Sequence, residues 1–511
     1  MWRNVMHDFL EALLRLSKNI SNFMWGEWMI ILLVGTGIIL TFVTGIIQLR
    51  KLGLSLNLVL KGSRRKGKES LEKEEGDISP FAALMTALAA TVGNGNIAGV
   101  ATAIATGGPG APFWMWLSAL FGMATKYAEG FLGVKYRKVA EDGTMSGGPM
   151  YYIRYGIKNS SIAKPLAMLF AICGGMTALF GTGNMMQSNS MALAFKSQFH
   201  IPTLVSAIVI TFLVGLVIIG GIKRIGAVAE RLVPFMIIFY LIGALIIILV
   251  KFTEIPAAFV LIFKSAFSIK AAGGALIGTT VKEAISLGVR RGVLSNEAGM
   301  GSAAIAQAAA KSPDPAYNGL IAMTGVFIDT LMVNTLTTLS IVLTGLWRLT
   351  PAAGVALRIP GQPFDVSTVP QHAMQFAHQI GINLAQTGGL TSTQLTAEAF
   401  NSIVPFGGWG IAFASLIFGY TTLIGWAYYG EKCVEYIFGI RSVLSYRICY
   451  IILLFLGALM TGRYLNIVWY IGDTFNAIMA IPNLVGLLFL AGVVASTTKE
   501  YYQTGQFDKM I

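Results

Sequence analysis

The run WMIILLVGTGIILTFVTGIIQL, Trp28–Leu49, contains no ionisable side chain. Wound as a helix it is long enough to cross about 30 Å of hydrocarbon. In hydrocarbon each backbone N–H and C=O must find its partner within the chain, and a single segment manages this only as a helix. Similar runs recur along the 511 residues, of which 12% are charged, against roughly a quarter in soluble domains. The charges cluster between the apolar runs. An all-α polytopic membrane protein follows.

Hydropathy and loop composition place spans at 28–48, 80–105, 111–134, 164–186, 202–221, 227–250, 270–290, 316–346, 404–430, 444–461 and 465–495, about eleven transmembrane helices. The formal net charge, 37 − 24 = +13, would suggest nucleic acid in a soluble chain. Here Lys and Arg gather in loops on one side, among them Arg50, Lys61, Arg137, Arg154, Lys432 and Arg447. The positive-inside rule makes that side cytoplasmic, with the N-terminus outside and the C-terminus inside a cell (inner) membrane, and no nucleic-acid partner is implied. Residues 1–27 place Asp8 and Glu11 where a signal peptide would be apolar. Their apolar residues recur at helical spacing, which suits a helix on the interface or one packed against the protein's own surface. The remaining divisions are an extra transmembrane helix at 28–48, a cytoplasmic loop at 49–79, one five-helix set at 80–250, a second at 251–495 with an external segment at 350–401, and a tail at 496–511. Cys173, Cys433 and Cys449 form neither a disulfide framework nor a CxxC site.

With the first span set aside, ten remain as two sets of five. An odd number per set inverts one set relative to the other, as an inverted repeat requires. The first span of each set is interrupted by glycine: TVGNGNIAG (Thr91–Gly99) and GGALIGTT (Gly273–Thr280). Paired interruptions point to a binding site at mid-membrane. Unwinding at Gly93, Asn94, Gly95 and Asn96 would bare amide N–H groups suited to a carboxylate and carbonyls suited to a small cation. The alternative is helix packing, because Gly95 and Gly99 form a GxxxG. Asn94 and Asn96 count against it, since packing needs no amides.

Two carboxylates stand out. Asp329, in GVFIDTLMVN, is placed mid-span, where a charge needs a partner or water. It either tunes a cation or proton pathway or joins helices together with Asn334 and nearby hydroxyls. Glu297, in SNEAGMGS, is expected to pair with Arg290 or Arg291 in an inner gate or hinge. The four histidines suggest no metal cluster. Convergent titratable groups of an enzyme, an ATP-binding motif and a repeated pore motif are all absent from the sequence.

GGPGAPFWMWLSALFG (Gly107–Gly122) resembles the signature of the alanine/glycine:cation symporters, the sodium:alanine symporter family. Thr91–Ile104, Gly181–Ser190 (GTGNMMQSNS), Arg290–Ala303 (RRGVLSNEAGMGSA) and Ile424–Lys432 (IGWAYYGEK) match further family motifs, in family order. The resemblance implies a LeuT-type 5+5 inverted repeat with one extra N-terminal helix, an architecture for which LeuT itself is a worked example. It implies symport of a small neutral amino acid, alanine or glycine, with Na⁺ as the coupling ion and no cofactor. A glutamine or other neutral amino-acid substrate, coupling to H⁺, and a channel are the alternatives. By the same resemblance Asn94 and Gly95 present amides to the substrate carboxylate. Thr91, Asn96 and Gln187 offer side chains, and Gly274, Gly278 and Thr279 close the site. Carbonyls of Ala89 and Val92 with hydroxyls of Thr421 and Thr422 form an all-oxygen cation site, the donor type a hard cation prefers. Gln187 also fits an interhelical hydrogen bond, and each threonine also fits back-bonding within its own helix. Pro112 and Asn94 depart from the family pattern. The first bears on where the third span begins, the second on substrate identity.

Overall fold

Apolar runs become helices wherever a start and a stop are written beside them. Ser79 accepts a hydrogen bond from the Ala82 amide, Pro80 takes the first helical position, and helix Pro80–Thr91 begins there. Asp314 and Pro315 repeat the device at the head of helix Pro315–Val326. Pro112 stands in the first turn of helix Ala111–Lys135, where its missing N–H costs nothing. The computed structural model describes residues 2–64, 73–181, 183–267, 281–357, 364–460 and 465–510. Within them the regular structure is helical apart from a two-stranded ribbon, Lys138–Val139 with Met145–Ser146, and two isolated bridges.

Each expected span overlaps a helix. Beyond those already named, the spans fall on Glu27–Val43, Ser160–Phe180 with Met185–Phe199, Thr203–Ile218, Gly221–Val250, Val281–Asn296, Thr335–Leu343, Gly407–Phe438, Val443–Leu459 and Leu465–Thr504. Among the described residues, seven helices are long and apolar enough to cross a membrane, or eight if Pro80–Thr91 and Gly95–Gly107, bent by 51°, are one span. The other expected spans fall short for separate reasons. Helix 111–135 carries Lys126 and Glu129 in its second half, helix 203–218 has 16 residues, and helix 281–296 contains Lys282, Glu283, Arg290 and Arg291. Helix Ile255–Phe267 is an element the hydropathy reading did not separate.

The burial pattern is that of a membrane protein. Phe212, Leu216, Ile238, Leu249, Ile448 and Ile452 are exposed, whereas Asn96, Glu129, Asn189, Asp329 and Asn483 are fully buried. Helix 111–135 packs on 315–326, helix 160–180 on 407–438, and helix 203–218 on 443–459. The N-terminal helix Trp2–Met24 packs along helix 465–504 and leaves Phe9, Leu16 and Phe23 exposed. The described part of segment 350–401 packs on the broken helix. Its helix Ser392–Asn401 lies against residues 95–107, and the Thr396 hydroxyl donates to the Ile97 carbonyl at 3.0 Å.

Candidate functional site

The break in the helix is written by one side chain. In an uninterrupted helix the Gly93 amide would donate to the Ala89 carbonyl. Instead it donates to Asn96 Oδ1 at 2.8 Å. Val92 takes an extended conformation (φ −74, ψ 98), its amide still donating to Leu88 O at 2.7 Å. Beyond the break Gly95–Gly99 is π-helical, and α-helix resumes at Val100. Among the described residues the carbonyls of Ala89, Ala90, Thr91 and Val92 receive no donor, and the amides of Asn94 and Gly95 have no acceptor. Bared acceptors and bared donors thus meet at one point. Gly95 there is exposed, although Asn96 and Ile97 beside it are buried.

A polar wall faces the donors. Asn94 Nδ2 donates to Gln187 Oε1 at 3.2 Å, and the Ser415 hydroxyl donates to Asn94 Oδ1. Gln187 Nε2 has no acceptor among the described residues. A Cβ on Gly419 would press on Met191, with Asn94 Nδ2 next to it, so helix 407–438 closes this wall tightly. Gln187 follows a second interruption that hydropathy did not reveal. Helix 160–180 is capped at Gly181, helix 185–199 begins after Asn184, and Tyr450 ties Gly183 and Asn184 to helices 407–438 and 443–459. Its hydroxyl lies within hydrogen-bonding reach of Gly183 O (2.5 Å) and Leu423 O (2.7 Å), with one proton to donate between them.

The acceptor end of the break faces helix 407–438. A Cβ on Gly93 would sit 2.8 Å from Thr422 Oγ1 and would force one of them to shift, and one on Gly425 would sit a tight 3.0 Å from the Ala90 amide nitrogen. Thr422 therefore reaches the break. Thr421 points elsewhere, toward Met236 Sδ at 3.5 Å. Both hydroxyls donate to Phe418 O, at 2.9 and 3.0 Å, which leaves their lone pairs free to accept a cation. Ala89 and Val92 are fully buried at this end. The Thr91 hydroxyl donates to Ala87 O at 3.1 Å.

The Asn96 carboxamide is not part of the Asn94–Gln187–Ser415 wall. It is fully buried, and Nδ2 lies within hydrogen-bonding reach of Asp329 Oδ1 (2.7 Å), Asn334 Oδ1 (2.9 Å), Ser295 Oγ (3.1 Å) and Asp329 O (3.2 Å). Asp329 Oδ2 accepts from the hydroxyls of Thr330 (2.7 Å) and Ser295 (2.9 Å), and Thr337 donates to the Asn96 carbonyl at 2.8 Å. Asp329 sits in a π-helical stretch, Phe327–Asn334, so wide turns face each other across this junction. The carboxylate joins the broken helix to helices 281–296 and 315–343, and Asn334 enters the same network through Asn96 and Ser295.

Glu297 requires a correction. Its carboxylate accepts from Ser302 Oγ (2.5 Å) and Trp426 Nε1 (3.1 Å), not from Arg290 or Arg291. The Arg290 guanidinium lies over the Trp25 ring, and Arg291 Nε is buried without a partner. Glu297 (φ 54), Gly299 (φ 91) and Gly301 (φ 80) are all left-handed. Glu129 Oε1 fastens this turn, accepting from the Gly299 and Gly301 amides at 3.0 Å each, and Lys126 Nζ donates to Glu297 O at 3.0 Å. Helix 111–135 therefore supplies a buried acid and base that hydropathy discounted. Gly274, Gly278 and Thr279 lie outside the described residues.

A family model described as the sodium:alanine symporter family matches residues 10–510. The chain belongs to that family. The sodium/alanine symporter AgcS of Methanococcus maripaludis is 45% identical over 486 residues, 95% of this chain and 96% of that protein. The probable sodium/glutamine symporter GlnT of Bacillus subtilis is 32% identical over 500 residues, 97% of this chain and 91% of its own. A solved manganese transporter from Eremococcus coleocola superposes at a TM-score of 0.45 and 15% identity, over 82% of this chain and 80% of that one, a likeness too loose to bear on the fold. As a member of the sodium:alanine symporter family the chain is a multi-pass membrane protein of the cation-coupled amino-acid symporter class.

Proposed function

We propose that the protein imports a small neutral amino acid, alanine or glycine, by Na⁺-coupled symport with alternating access. The observation that carries this reading is the break itself: among the described residues the amides of Asn94 and Gly95 lack acceptors while the carbonyls of residues 89–92 lack donors. A zwitterion's carboxylate suits the first group, aided by the Gln187 amide. A desolvated Na⁺ suits the second, with Ala89 and Val92 carbonyls and the Thr422 hydroxyl as ligands and Thr421 one position away. Two ligands at one break stabilise a shared conformation, so each raises the affinity for the other. Gly274, Gly278 and Thr279 close the site in this reading. Asp329 acts through Asn96, and Glu297 belongs to the inner hinge.

The reading includes a LeuT-type 5+5 inverted repeat of about eleven spans, the N-terminus outside the cell membrane and the C-terminus cytoplasmic. The packing of the second, third and fourth helices of one set on the second, third and fourth of the other supports it, as elements near a pseudo-twofold axis meet their own counterparts. A second reading has a polar neutral substrate such as glutamine. It is favoured by Gln187 Nε2, which has no acceptor among the described residues and would suit a side-chain carbonyl of the substrate better than a methyl. Uptake of radiolabelled alanine into proteoliposomes, with and without an inward Na⁺ gradient and with unlabelled glycine or glutamine as competitor, tests both. Gradient-driven alanine uptake resisting glutamine is expected. Uptake indifferent to Na⁺ would overturn the coupling, and full competition by glutamine would select the second substrate.

A further inference from the structure

At one end of the bundle the turn at residues 219–223, the last part of helix 407–438 and the first turns of helix 443–459 surround a pocket that the transport reading does not use. Its charges divide into two kinds. Lys432 Nζ is paired with Glu435 Oε2 at 2.8 Å, and Arg447 grips Glu431 with two nitrogens, at 2.7 and 2.9 Å. Lys223 and Arg441 line the same pocket, are exposed, and make no ion pair among the described residues. The opposing acid on the rim is Asp142, whose Oδ1 accepts from the Thr144 amide and hydroxyl at 3.0 and 2.7 Å.

Two further features call for an anion. Helix Gly221–Val250 opens here with no side chain capping it, and its leading amides have no acceptor among the described residues. Tyr428 also lines the pocket, buried, with a hydroxyl that has no hydrogen-bond partner among the described residues. The source of the anion is indicated by what adjoins the pocket. Ile219 and Leu444 on its wall are exposed, and Leu444 begins a stripe continued by Ile448 and Ile452 up helix 443–459. A basic recess opening onto an exposed apolar stripe matches a headgroup with acyl chains attached.

We propose that this pocket binds the phosphate headgroup of an anionic phospholipid, with Lys223, Arg441 and the start of helix 221–250 as its donors and the Leu444–Ile452 stripe against its acyl chains. The test is native mass spectrometry of the full-length protein titrated with phosphatidylglycerol or phosphatidylcholine. It uses the wild type, Lys223→Gln/Arg441→Gln, and the charge-matched Lys158→Gln/Lys164→Gln, whose lysines are exposed outside the pocket. The pocket variant should bind phosphatidylglycerol about thirty-fold more weakly, the combined effect of two cations beside a membrane surface, with the control unchanged. Equal weakening in both variants would mean diffuse attraction and overturn the site. So would phosphatidylcholine binding as tightly as phosphatidylglycerol in the wild type. Displacement of bound lipid by millimolar inorganic phosphate would overturn the lipid assignment in favour of a free-anion site. All three proteins must keep the same thermal midpoint, which exposed glutamines permit.

Discussion

Three glycines in nine residues have three different surroundings, and this separates their roles. A Cβ on Gly99 meets nothing within 4 Å, and one on Gly95 meets Ser295 at an ordinary 3.6 Å. Gly99→Ala should therefore change half-saturation for substrate by less than about twofold, alanine being the better helix former. Gly95→Leu should weaken binding by roughly 10–100-fold, the loss of one hydrogen bond to a charged group. Binding to purified, folded protein checks both. Equal damage at the two positions would mean that the helix packs here rather than binds. Thr422 and Thr421 are separable in the same way, because Thr422 alone approaches the break. Thr422→Ala should raise the Na⁺ concentration for half-maximal uptake by about tenfold, and Thr421→Ala by much less. Matching shifts in the two single variants would remove the distinction.

At the scale of elements, the junction of three helices rests on Asn96 and Asp329. Asn96→Ala would leave Asp329 Oδ1 without its donor and return the Gly93 amide to the Ala89 carbonyl. Burial of an unpaired carboxylate oxygen costs on the order of 3 kcal/mol, so a thermal midpoint lower by several degrees is expected, together with lost Na⁺ coupling. Asp329→Asn preserves the shape and should lose less stability. A variant Asn96→Ala as stable as wild type would show that this junction does not hold the helices. The positions of these elements were legible in the sequence because hydropathy and glycine placement act locally: Thr91–Gly99 announced its own break. The direction of the Asn96 carboxamide was not legible, since it depends on an acid more than two hundred residues away. Ser415 was readable in retrospect, standing two helical turns before Thr422 on one face. The gap at Gly181–Asn184 was hidden because both flanks are apolar enough to read as one span.

For the whole molecule the testable quantity is orientation. Single cysteines at Ser63 and Ser367, both exposed, introduced with the exposed Cys449 replaced by Ala, should react with an impermeant maleimide from opposite faces. Reaction of both in intact cells would dismantle the proposed topology. The helical framework was recoverable from periodicity and charge because the bilayer imposes one rule on all spans. Helix 111–135 shows where that rule bends. Lys126 and Glu129 sit inside the protein, answered by the turn at residues 297–301 and by Asn483 rather than by lipid or water.

The hydrogen bond from the Gly93 amide to Asn96 has a thermodynamic corollary. Because the helix is held open by its own side chain, no ligand is needed to open it. Arriving solutes then have no backbone to melt, and their affinity is not taxed by a rarely populated competent state. In the proposed function, selection among solutes at this position is accordingly a matter of fit to a fixed template. The free energy of occupancy remains available to bias which way the carrier faces.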